Sequence, residues 1–113
     1  MTAPGLVLTT RWSNGHPIVV VSGEIDICTA PVMCAYLFDA ADARDDDLVV
    51  DLSAVSFIDV CGLTELLRVD RHIMTTGRRL RLAAPSVRVA RLLAVTHMDL
   101  RFALYLTSDA AAR

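Results

Sequence analysis

Leu48-Val-Val-Asp-Leu-Ser-Ala-Val-Ser-Phe-Ile-Asp-Val-Cys-Gly-Leu63 decides how the rest of this chain is read. Its first part, Leu48 to Leu52, is almost wholly apolar, the pattern of a strand covered on both faces, and it ends on polar Asp51 and Ser53. From Cys61 the apolar period lengthens. Leu63, Leu66, Leu67, Ile73 and Met74 share one helical face, while Arg68, Arg71 and His72 lie outside it. Gly77 then suits the left-handed residue that ends a helix. Strand, polar junction and amphipathic helix in that order form half of a crossover unit, so parallel strands are expected.

The same alternation extends outward in both directions. Upstream, Leu6 to Trp12 alternates and puts Leu6, Leu8 and Trp12 on one face of a half-buried strand. Ser13-Asn-Gly-His-Pro17 reads as a turn, and Ile18 to Ser22 as a second strand covered on both faces, giving an N-terminal hairpin. Thr29 and Pro31 start a helix over residues 29 to 43, with Met33, Tyr36, Leu37, Ala40 and Ala41 on its apolar side. Asp45, Asp46 and Asp47 make a solvated turn. Downstream, Leu80 to Ala84 is a short strand, and Ser86 caps a helix with the stripe Val89, Leu92 and Leu93. There His97 stands where a helix exit favours glycine. Arg101 to Leu106 is the last strand, before an alanine-rich tail too short to nucleate much helix. The expected order is β-β-α-β-α-β-α-β: one mixed-sheet α/β domain over residues 1–113, without repeats.

Composition supports a folded globular domain. The chain is 54% hydrophobic and 21% charged, rich enough in core-formers to fold. Its net charge of −2 and scattered basic residues lack the footprint of a nucleic-acid binder. All 11 basic side chains are arginine, which reads as the coding bias of a GC-rich bacterial genome. The longest aliphatic run, Ile18 to Val21, is far below the roughly 20 residues that span a bilayer. With no secretory start, a cytoplasmic address is expected. Three cysteines without CxxC spacing indicate neither a disulfide framework nor a zinc site.

In parallel sheets the functional edge lies beyond the carboxyl ends of the strands. Two segments fall there: Gly23-Glu-Ile-Asp26 with Thr29 and Ala30, and Val49 to Ser53 followed by Phe57-Ile-Asp-Val-Cys-Gly-Leu63. Together with Gly77, Leu80 to Leu82, Arg91 to Thr96 and Asp99, they resemble the signatures of the STAS domain. That fold is shared by bacterial anti-sigma factor antagonists and the cytoplasmic tails of sulfate transporters. The resemblance implies an antagonist that binds an anti-sigma factor with an ATP-binding kinase fold and so frees a sigma factor. It also implies a docking face of Glu24, Ile25, Asp26, Ile27, Thr29, Asp59, Val60, Cys61, Gly62 and Leu63. Ile25, Ile27, Val60 and Leu63 would be its apolar rim.

One departure stands out. Family antagonists carry a phosphorylated serine after the second motif's aspartate, and Val60 occupies that position here. Valine has no hydroxyl, and Thr64 offers one only a turn further along the helix. Cys61, next in line, reads first as a small packing residue. Its second reading is a redox switch with Cys28, because helix amides stabilise a thiolate.

Asp26 and Asp59 form no acid-base pair with a nucleophile or histidine, and His16, His72 and His97 lack metal-ligand spacing. No enzyme activity, metal or cofactor is therefore expected. The arginines at 68, 71, 78, 79 and 81 read as a solvated basic face. A STAS subunit regulating a membrane transporter, such as a lipid-trafficking ABC ATPase, is the alternative; weak homodimerisation stays open in either reading.

Overall fold

The computed structural model describes residues 1–113. Its strands are β1 (Thr2–Ala3), β2 (Leu6–Ser13), β3 (His16–Ile25), β4 (Leu48–Ile58), β5 (Leu80–Ala83) and β6 (Ala103–Tyr105). Its helices are α1 (Ala30–Asp42), α2 (Val60–Met74), α3 (Val87–Val95) and α4 (Ser108–Ala111), with a 3-10 turn at Met98–Leu100. The six strands lie in one sheet in chain order, antiparallel from β1 to β3 and parallel from β3 to β6. The expected hairpin, crossovers and mixed sheet are all present.

The two sides of the sheet are unequal. On one, α1, α2 and α3 cover a cluster of 24 buried residues that includes Val19, Val21, Leu48, Val50, Leu52, Leu80 and Leu82. On the other, Ile18, Val49 and Ala83 meet Ala111 and Ala112, a cluster of 5. At about 1.5–3 kcal/mol for each large aliphatic side chain buried, the helical side carries most of the stability. Strands β3 and β4 serve both sides, which is why their sequences read as unbroken apolar runs.

Four expectations need correction. First, β3 continues to Ile25 and β4 to Ile58, well beyond Ser22 and Leu52. The register slips between Val20 and Ser22 and between Gly23 and Glu24, so side-chain alternation breaks and the strand pattern fades. Second, Trp12 is exposed: the strand overruns the core there, and Arg44 lies over the indole at 5.6 Å. Met74, also placed on a buried face, is exposed as α2 ends. Third, the alanine-rich tail does form a helical turn. Thr107 accepts the Ala110 N–H, and burying Ala111 and Ala112 supplies what propensity does not.

Fourth, the arginines after α2 are structural. Arg78 donates to the carbonyls of Ala41 and Arg44 at 2.9 and 2.6 Å, tying the exit of α1 to the segment that leads into β5. Arg79 pairs with buried Asp70, and Arg81 with Asp47 at 2.8 Å. Arg81 also donates to the Ala111 carbonyl and stacks on Tyr105, pinning α4 to the sheet.

Gly77 does end α2. At φ +78° it donates to the Met74 carbonyl while the Arg78 N–H donates to that of Ile73, the paired bonds of a Schellman closure. His97 adopts φ +58° after α3, a left-handed conformation that costs a non-glycine residue about 1 kcal/mol.

Candidate functional site

At the carboxyl ends of β3 and β4 the chain turns into α1 and α2, and both predicted segments meet there. The first turn is held by Asp26. Its carboxylate accepts the N–H groups of Cys28 and Thr29 at 2.9 and 3.0 Å. These bonds, the Thr29 N–H foremost, hold the Asp26 carboxyl below its ordinary pKa; burial opposes them. The Thr29 hydroxyl accepts the Asp26 N–H at 2.9 Å and donates to the Glu24 carbonyl at 2.7 Å. Thr29 is buried, so its hydroxyl fixes the loop from beneath.

The second turn is fixed from two sides. Asp59 is the N-cap of α2, its backbone extended and its carboxylate accepting the Gly62 N–H at 3.2 Å. Its own N–H donates to the Ile25 carbonyl at 3.2 Å, tying the start of α2 to the end of β3. Gly62 permits that approach. A Cβ there would lie 2.6 Å from Ile25 Cγ2 and 2.9 Å from Ile58 Cγ1.

The ten residues expected on the docking face divide by burial. Ile25, Thr29, Gly62 and Leu63 are buried and build the floor. Glu24, Ile27, Val60 and Cys61 are exposed, and Asp26 and Asp59 are half-buried. The apolar rim is thus narrower than the four residues expected, because Ile25 and Leu63 are at 0% and 2% exposure whereas Ile27 and Val60 reach 72% and 60%. A groove of about 270 Å³ lies between the two helix starts, lined by Ile27, Ala30, Pro31, Val60, Cys61, Thr64 and Glu65. Pro31 and Glu65 are members that motif reading missed. Both sit on helices, at the one-turn spacing that should have marked them.

Val60 is the first residue of α2 and Cys61 the second, both open to solvent. Cys28 is likewise free and exposed, with no disulfide to Cys61. Cys34 is buried on the inner side of α1, and desolvation, with Glu65 adding, pushes its thiol up to about 12. That thiol is packing. The Thr64 hydroxyl donates to the Val60 carbonyl at 2.8 Å, back along its own helix.

The Thr29 hydroxyl lies 3.2 Å from the Asp26 carboxylate, but it is buried and donates to the Glu24 carbonyl. What this edge presents to solvent is a fixed, largely apolar surface of two helix starts ringed by carboxylates. No helix is long and apolar enough to cross a membrane.

Comparison with known proteins gives the family of this fold. The family model for the STAS domain matches residues 8–111. The anti-sigma-F factor antagonist RsfB of Mycobacterium tuberculosis is 32% identical over 74 residues, which cover 65% of this chain and 61% of that protein. The match therefore spans less than two thirds of the curated relative's length. The crystal structure of an anti-sigma factor antagonist from Mycobacterium paratuberculosis is similar at TM-score 0.80 and 33% identity, covering 98% of this chain and 95% of that one. An anti-sigma-factor antagonist (STAS) domain protein from Planctomyces limnophilus shares the fold at TM-score 0.78 and 17% identity, covering 93% and 94%. From the strand after the first turn to the last helix, the chain belongs to the STAS domain family.

Proposed function

We propose that this chain is an anti-sigma factor antagonist that docks an anti-sigma factor of ATP-binding kinase fold through the paired starts of α1 and α2. The observation that carries the reading is the exposed apolar pair Ile27 and Val60, beside a groove at the edge where antagonists of this family present their switch. Exposed aliphatic side chains on a rigid floor are what a protein partner can desolvate at little conformational cost. The names of the relatives support an anti-sigma factor as the partner.

Val60 removes the acceptor hydroxyl, so the antagonist is competent without dephosphorylation. A phosphate at the first residue of α2 would add nearly two negative charges to the apolar rim, which is how a serine there would release a partner. Incubating the protein with its cognate kinase and ATP should leave residues 59 to 64 unmodified, while Val60→Ser should become phosphorylated. Phosphate on the wild-type segment, found by mass spectrometry, refutes the reading. Affinity capture that returns a transporter ATPase in place of the kinase moves the function to the transporter-regulating class.

Cys61 shares this surface, and its oxidation would put a charged or bulky group there. Partner affinity before and after oxidant, in wild type and Cys61→Ser, tests that control. Unchanged affinity in both removes it.

A further inference from the structure

A second groove, of about 240 Å³, lies on the other flank of the same edge, between the end of β4 and helix α3. Its lining is Phe57, Ile58, Arg88, Arg91, Leu92 and Val95. Val89 and Leu93 on the opposite side of α3 are buried in the core, so this wall of the groove is anchored. Phe57 is 40% exposed and Val95 72%, large apolar surface left to solvent. Arg88 and Arg91 are exposed, and neither is among the side chains held in ion pairs or hydrogen bonds. They contrast with Arg78, Arg79 and Arg81, each held by the fold.

We infer that this groove is a second docking site, whose occupant is an acidic amphipathic helix of a protein partner. Charge decides the sign: two unpaired guanidinium groups one helical turn apart flank the apolar floor, and no carboxylate lines it. The lining decides the form. Strand β4 pairs with β5 only from Leu48 to Asp51 and lends the groove only Phe57 and Ile58, whereas α3 supplies four of its six lining residues over two helical turns. Arg88, Arg91, Leu92 and Val95 stand at i, i+3, i+4 and i+7, the spacing a second helix matches with its own apolar stripe. Carboxylates flanking that stripe would reach the two arginines. The apolar floor and the overall charge of −2 argue against a nucleic-acid backbone as the occupant.

The site does not depend on the anti-sigma reading, and its test uses a different face. A labelled synthetic helix with leucines at i, i+3, i+4 and i+7 flanked by glutamates should bind the intact protein in fluorescence anisotropy. The backbone amides it shifts by NMR should be those of residues 57, 58 and 87 to 95. The Arg88→Glu/Arg91→Glu double variant, both positions being exposed, should fold normally and bind roughly tenfold more weakly or worse. Val60→Glu should leave binding unchanged. Equal binding of the same peptide with lysines for glutamates, no loss in the double variant, or shifts elsewhere would each overturn the assignment.

Discussion

Gly23→Ala is expected to destabilise the protein by about 3 kcal/mol or more, the largest single-methyl effect in the chain. The reason is a close crossing of backbone. A Cβ at position 23 would lie 2.1 Å from the Gly5 carbonyl oxygen, which accepts the Glu24 N–H at 2.8 Å. Gly23 also sits at φ +107°, a conformation other residues rarely adopt. Backbone cannot swing aside as a side chain can, so the turn between β1 and β2 must separate from β3. Gly62→Ala should cost less, since its Cβ meets side-chain atoms of Ile25 and Ile58 that can partly shift. Urea unfolding of the two variants checks the order. A loss at Gly23 smaller than that at Gly62 would show that the crossing relaxes easily.

Asp70→Ala is expected to cost about 3 kcal/mol, with Asp70→Asn losing roughly half as much. Asp70 is 1% exposed and lies on α2, facing the start of β5. Its carboxylate accepts the Leu80 N–H at 2.9 Å and the Arg79 guanidinium at 3.2 and 3.3 Å. Alanine strands a buried N–H without an acceptor, which outweighs the partly solvated ion pair. Asparagine keeps an acceptor for Leu80 and loses the charge. Equal losses for the two variants would mean that the ion pair, and not the Leu80 bond, carries the energy.

What the sequence disclosed and what it hid have a common cause. Helices α2 and α3 were legible because their periods, the Ser86 cap and the Gly77 exit are local signals, each complete within a few residues. The far halves of β3 and β4 were not, because their bulges break the alternation that identifies a strand. Nor could the arginines at 78, 79 and 81 be told from a solvated face. The Ala41 and Arg44 carbonyls that hold Arg78 and the Asp47 carboxylate that holds Arg81 are more than thirty residues away in the chain. At the candidate site, the motif marked two segments that the fold brings to one edge, and it included the exposed Ile27 and Val60. It could not separate them from Ile25 and Leu63, since aliphatic character alone says nothing about which side of a turn faces water. Burial of Thr29 and Gly62 follows from the packing of two helix starts on one floor, a long-range fact.

The strands at the two margins of the sheet have a bearing on how this domain meets other chains. β6 is three residues long and closes its margin with little open hydrogen-bonding ladder. A margin that short resists cross-β growth and strand exchange between copies. The opposite margin is different: the two residues of β1 pair with only Leu6 and Val7 of the eight-residue β2, so the outer side of β2 from Thr9 to Ser13 is the one long stretch of ladder at which another chain could add as a strand.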